Sequence, residues 1–318
     1  MDILIKDARI IDGSGEPSFE GSIGIKEEKI AAIGNISESQ AKTVIDAKGL
    51  AVSPGFIDIH AHSEFTLLAD PRGEGKVTQG VTTEVSGNCG LSAGPLYGDY
   101  FERRKGDLTE LGLELDWHDL GEYFSTLKNK GLSLNFATLI GHGNLRGSVV
   151  GYGNRKPTGE EMERMKSLLR DSIKAGGFGL SSGLIYPPGV YSETEELIEL
   201  AKVVKEFGGF YASHMRSEGD RLLEAISEAI RIGEEAGIPV QISHLKTGGE
   251  RNWHKLDEAF GLIEQARERW VDVTADIYPY IASSTDLDAI LPSWAYEGGA
   301  EAEIKRLAEP ETRKRLKE

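Results

Sequence analysis

FIDIHAHS, residues 56–63, places two histidines, His60 and His62, two positions apart at the end of an apolar run. In a β-strand, residues i and i+2 point to the same face, so the two imidazoles are expected to project side by side. Two explanations compete: a metal site, or a strand that tolerates polar residues at its exposed end. The sequence on either side separates them.

Before this stretch, residues 1–54 read as short strands joined by turns. DILIKDARIID, SIGIKEEKIAAIG and KTVIDAKGLAVSPG mix β-branched and polar residues, and Asp12-Gly13 and Pro54-Gly55 mark turns. This predicts a small β domain, the N-terminal half of a β-sandwich.

After Gly55, over residues 55–318, short apolar runs alternate with amphipathic helical stretches. The runs are FIDIHAH (56–62), TTEVSGNCG (82–90), NFATLIGHG (135–143), GFGLSSGL (177–184), FYASHMRS (210–217), PVQISHLK (239–246) and VDVTADIYPY (271–280). Helices are predicted over 158–176 and 192–208, opened by the capping-box patterns Thr158-x-x-Glu161 and Ser192-x-x-Glu195. Two more are predicted over 217–237 and 255–269. Continuously apolar strands alternating with helices imply a parallel sheet covered by helices. The fold class is therefore α/β, a TIM-type (β/α)8 barrel with seven strands present and the eighth missing from residues 1–318. Residues 285–318 do not supply that strand; they read as charged helix.

In such a barrel the C-terminal strand ends converge on one face, where active sites are built. The first run ends in His60 and His62 and the second in Cys89. The fifth ends in His214, Arg216 and Glu218, the sixth in His244 and Lys246, and the seventh carries Asp276 and Tyr278. A lone histidine or cysteine is more often packed than functional. Four histidines and one cysteine at four strand ends point to a metal site, and imidazole with thiolate suits zinc. His142 ends the third run and reads as a packed histidine; His118 and His254 read as surface residues.

Composition limits the rest. The formal net charge of −16 over 318 residues argues against nucleic acid as a partner. A single cysteine excludes an intramolecular disulfide. No apolar run approaches the roughly 18 residues of a membrane span, and no signal peptide is legible, so a cytoplasmic protein is expected.

The set SGNCG (86–90), GFGLSSGLIYPPG (177–189), YASHMRSEGD (211–220), QISHLK (241–246) and TADIYPY (274–280) resembles the D-aminoacylase, or N-acyl-D-amino-acid deacylase, family of the amidohydrolase superfamily. The resemblance covers essentially the whole chain. It implies a tight zinc held by Cys89, His214 and His244, and a second, weaker metal held with His60 and His62. It implies hydrolysis of N-acyl-D-amino acids to a carboxylate and a D-amino acid by metal-activated hydroxide. Lys246, assisted by Tyr278 and Ser284, would take the substrate carboxylate, with Arg216 and Glu218 supporting the ligands. Residues 285–318 would begin a loop or helical insertion over the site.

The fourth run has no lysine where many superfamily members carry a bridging one, so Cys89 would bridge instead. This disfavours a cyclic amidase of the dihydroorotase or hydantoinase type. The family's base is an aspartate on strand eight, which these residues do not match; Asp58 and Asp276 are not assigned that role. Hence a catalytically incomplete metal-binding fragment stands as the alternative, and a homo-oligomer or a complementing C-terminal polypeptide is the expected cover for the open edge. Two departures stand out. Trp270 occupies a place where relatives often have glycine and is expected to disturb the turn. Ile277 is expected to face away from the site.

Overall fold

In a computed structural model, which describes residues 1–38 and 41–317, the chain forms two units, Met1–Phe56 and a second that opens at Ile57. The boundary lies two residues beyond the one expected.

The first unit is one five-stranded sheet of β1 (Ile3–Ile10), β2 (Phe19–Lys26), β3 (Lys29–Gly34), β4 (Thr43–Asp46) and β5 (Ala51–Val52). β1 runs antiparallel to β2 and parallel to both β4 and β5. Its buried cluster is small: Ala8, Ile10, Ile23 and Ala47, with Ile5, Ile25 and Val52 beside them.

The second unit contains all but the first residue of β6 (Phe56–Asp58), with β7 (Val81–Ser86), β8 (Asn135–Thr138), β9 (Ile140–Gly141), β10 (Gly179–Gly183), β11 (Phe210–His214), β12 (Val240–Ile242) and β13 (Val273–Ala275). β8 and β9 are one predicted strand interrupted at Leu139. β8 pairs in parallel with β7, and β9 with β10. The remaining pairs β10–β11, β11–β12 and β12–β13 are parallel too. Within the two sheets, β6 to β8 and β9 to β13, each strand lies beside its predecessor with helices between, which is the wall of a (β/α) barrel. The seven predicted runs thus supply seven successive strand positions.

Amphipathic spacing explains how the helices cover the wall. In the helix Leu222–Ala236 the buried residues include Leu222, Ala225, Ile226, Ala229 and Ile230, a repeat of three and four that gives one apolar face. They join Leu180, Tyr211, Val240 and Val273 of the strands in one core. Each fully buried Leu or Ile contributes roughly 1.5–3 kcal/mol. Gly237 ends the helix in the left-handed conformation, φ +69°.

Caps divide. Thr158 accepts from the Glu161 N–H at 3.2 Å and Glu161 accepts from the Thr158 N–H at 2.8 Å, so that box forms. The Ser192 box does not. Its hydroxyl donates to the Gly189 carbonyl at 2.7 Å, and the helix begins at Thr194 after an uncapped Glu193. The tight turn Gly189–Tyr191 claims the serine first.

Trp270 follows the helix Leu256–Glu268 at φ +68° and is 95% exposed. The Trp270 N–H bonds to Arg267 O and the Val271 N–H to Ala266 O, a Schellman turn that favours glycine. The turn therefore forms with tryptophan in a strained position. Among the described residues, no helix is long and apolar enough to cross a membrane.

Candidate metal centre

Cys89 sits on the loop that follows β7. Three residues of that loop, Gly87, Cys89 and Gly90, have positive φ, +75°, +54° and +77°. Glycine is required where backbone meets backbone. A Cβ on Gly90 would stand 2.6 Å from the Gly183 nitrogen, and one on Gly183 would stand 2.1 Å from the Cys89 carbonyl oxygen. Ser181 of β10 clamps the loop: its Oγ accepts from the Gly90 N–H at 3.0 Å and donates to the Gly87 carbonyl. Glu64, wholly buried, accepts from the Gly87 N–H at 2.6 Å. Burial pushes its carboxyl up to about 7. So β10, the strand without a lysine, serves to hold the cysteine loop.

His214 is the last residue of β11, and His244 lies two residues past β12 at φ +39°. A left-handed backbone costs a non-glycine residue roughly 1–3 kcal/mol, and here the two non-glycine ligand candidates that adopt it are Cys89 and His244. His60 and His62 correct the strand reading. β6 ends at Asp58, so both lie on the loop after it. They still reach the cavity, because the loop crosses the barrel mouth toward β7, with the Ala61 N–H bonded to Val85 O at 3.0 Å.

The donors converge. Cys89 Sγ is 3.4 Å from His60 Nε2 and 3.6 Å from His244 Nε2, and His244 Nε2 is 2.9 Å from His214 Nδ1. Two triplets, His60–His62–Cys89 and Cys89–His214–His244, each have their donor atoms within 4.8 Å of one another. The set fits zinc: soft sulfur, imidazole nitrogen and a spacing one ion can span. Electrostatics agree. Burial, with the Asp276 and Glu218 carboxylates, pushes the Cys89 thiol up. Burial and neighbouring His244 pull His214 down to about 3. Both groups resist becoming charged; a bound cation would reverse that for the thiol, which ionises to bind it, and would keep the imidazole neutral as a nitrogen donor.

The triplets open into a cavity of about 1650 Å3. Its lining holds seven Asp or Glu residues against three basic ones, Lys76, Arg104 and Lys246. Lys246, Tyr278 and Ser284 all line it. The Lys246 ammonium lies 5.4 Å from the Tyr278 ring centroid and donates to Glu218 at 2.6 Å. Of residues 285–317, only Thr285 and Asp286 reach the lining.

Other expectations change. Glu218 supports His244 rather than His214: its carboxylate stands 2.6 Å from His244 Nδ1. Arg216 touches no ligand candidate. It pairs with Glu228 and donates to the Val190 and Ser192 carbonyls at 3.2 and 3.1 Å, pinning the loop after β10. Ile277 lines the cavity instead of facing away, because β13 ends at Ala275 and strand alternation stops there. Asp58 is bonded to Lys76 and accepts from the His60 N–H at 3.0 Å. His142 is fully buried against Glu196 at 2.8 Å, and Glu196 also holds Arg146.

Two residues were missed, Glu64 and Tyr186, and a third, Asp276, was named without this role. Glu64 holds the cysteine loop. The Tyr186 ring meets His214 edge-on, with centroids 4.9 Å apart. Asp276 accepts from the His244 N–H at 2.7 Å and from Gln241 Nε2 at 2.8 Å. Asp276 and Tyr186 lie within the quoted runs TADIYPY and GFGLSSGLIYPPG, whereas Glu64 lies in none of the quoted runs.

The comparisons with known proteins agree with this architecture. A D-aminoacylase from Alcaligenes xylosoxydans xylosoxydans is 39% identical over 90% of this chain and 59% of its own length. An N-acyl-D-glutamate deacylase from Bordetella bronchiseptica, solved with zinc and a phosphonate inhibitor, superposes with a TM-score of 0.82 at 36% identity, over 88% of this chain and 58% of its own. A D-aminoacylase studied for its binuclear metal centre gives the same TM-score of 0.82 at 36% identity, over 88% and 59%. The chain thus spans about three fifths of the length of the curated relatives it matches. The profile of the Amidohydrolase family matches residues 43–311. With that profile covering most of its residues, and with a barrel wall that superposes on the deacylase structures, the chain belongs to the Amidohydrolase family.

Proposed function

We propose that this chain carries the metal site and substrate pocket of a zinc-dependent N-acyl-D-amino-acid deacylase. The observation that carries the reading is the sharing of Cys89 by two donor triplets at the floor of a cavity that also holds Lys246. Cys89, His214 and His244 would hold the tighter ion, and His60 and His62 with Cys89 a second one. Bound zinc supplies an acidified water and a Lewis acid for the amide carbonyl.

The chain's own residues account for binding and orientation. Lys246 takes the α-carboxylate of the substrate, with Tyr278 and Ser284 beside it. Glu218 holds both Lys246 and His244, so it ties substrate position to metal position. Tyr186 packs against His214 and keeps water from that side of the ring. Neither Asp58 nor Asp276 is offered as the general base, because the carboxylates of both are engaged. A cytoplasmic setting suits a lone cysteine that must stay reduced to bind metal.

The test is hydrolysis of N-acetyl-D- and N-acetyl-L-amino acids by metal-free and zinc-reconstituted full-length protein. Release of D-amino acids only after zinc is restored is expected. Equal turnover without metal, or preference for the L series, sinks the proposal.

A further inference from the structure

We propose that Asp276 is a positioning residue that couples the two donor triplets by holding His60 and His244 at once. This rests on the two-ion reading above.

One residue wraps the turn that carries His244. The Asp276 N–H donates to Ile242 O at 3.1 Å, its carbonyl accepts from the Leu245 N–H at 2.9 Å, and its Oδ1 accepts from the His244 N–H at 2.7 Å. These three bonds bracket the position at φ +39°, where a histidine is otherwise strained. The same Oδ1 stands 3.2 Å from His60 Nδ1. That nitrogen is buried and makes no aligned hydrogen bond, so the contact is an ion-pair distance rather than a formed bond. Asp276 is thus the acceptor nearest at hand for a ring whose other nitrogen faces Cys89. Oδ2 is fixed by Gln241, which is itself held by the Thr274 hydroxyl. A carboxylate behind a metal-binding histidine sets its tautomer and orientation, and its loss lowers metal affinity about 10–100-fold. Here one carboxylate serves a histidine of each triplet.

The two roles separate by substitution. Asp276→Asn keeps an oxygen for the His244 N–H but removes the charge beside His60. Asp276→Ala removes both. Zinc is titrated into metal-free full-length protein against a chromophoric chelator, and cobalt substitution reports the geometry through its visible absorption. In Asp276→Asn the second, weaker ion is expected to lose about 10–100-fold in affinity, and the first ion clearly less. In Asp276→Ala both weaken, and the cobalt spectrum changes. Thermal unfolding of the metal-free variants stays close to that of the wild type. Unchanged binding constants overturn the proposal, as does destabilisation of the metal-free protein that matches the loss of affinity. If the Asp276 variants do not fold, Gln241→Leu loosens Asp276 without touching a donor, and an unchanged second constant there also overturns it. A wild-type protein that takes up a single ion overturns the two-ion reading itself, which is apparent before any variant is made.

Discussion

His214 and His244 stand at or just past the ends of neighbouring buried strands, β11 and β12, which pair in parallel. His60 and His62 stand on a loop beyond a three-residue strand, with His62 exposed. Glu218 and Asp276 brace His244 at 2.6 and 2.7 Å, whereas His60 has one unaligned acceptor at 3.2 Å. Cys89 belongs to both groups. The difference teaches that donor type alone does not rank two sites. Rotamer freedom lost on binding does, and the strand-borne pair has less left to lose.

The sharpest way to break this comparison is Cys89→Ala. It removes the shared donor, so both ions and all hydrolysis are expected to go together; elemental analysis showing one retained zinc counts against sharing. Next come His244→Asn and His62→Asn. The first is expected to empty the tighter group. The second leaves one zinc per chain, and equal losses erase the ranking. Glu218→Gln is expected to weaken the tighter ion about 10–100-fold by chelator competition. It also raises KM, since Lys246 loses its partner.

The cavity wall extends the contrast. Of its three basic groups, Lys76 is bonded to Asp58, Arg104 to Asp107 at 2.7 Å and Lys246 to Glu218 at 2.6 Å, and on the proposed reading Lys246 takes the α-carboxylate. Phe65, Leu67, Leu91 and Ile185 line the rest of the wall. A second carboxylate finds poor company there, so kcat/KM for N-acetyl-D-leucine is expected to exceed that for N-acetyl-D-glutamate by about 100-fold. The reverse order would show that the acidic wall does not set selectivity.

The smallest effect concerns strain. Cys89, His244 and Trp270 all have positive φ, but Trp270 is exposed and away from the donors. Trp270→Gly is expected to add about 1 kcal/mol of stability, read as a small rise in Tm, with zinc content unchanged. A loss of stability would mean that the indole packs usefully.

Much of this was legible in the residues. Seven apolar runs became seven strand positions because burial on both faces of a parallel sheet leaves no alternative pattern. Cys89, His214 and His244 were singled out because few other side chains suit zinc, and their donor atoms lie together. Legibility failed where the chain leaves regular structure. Periodicity placed His60, His62 and Ile277 by strand alternation, yet β6 and β13 end before them. Ser192 matched a cap pattern, but its hydroxyl donates to Gly189 O in the preceding turn instead of accepting from the Glu195 N–H. Arg216 lies beside His214 in sequence, and its side chain turns to Glu228 instead.

The sequence by itself determined the alternation of strand and helix, the donor types and their order along the chain, because these follow from local hydrophobicity and side-chain chemistry. Only the tertiary structure decided which carboxylate braces which histidine and that β10 clamps the cysteine loop. It also decided that Asp276 meets ligand candidates 216 and 32 residues away in sequence. Those facts depend on where separate strands end against one another, and long-range geometry leaves no trace in local sequence.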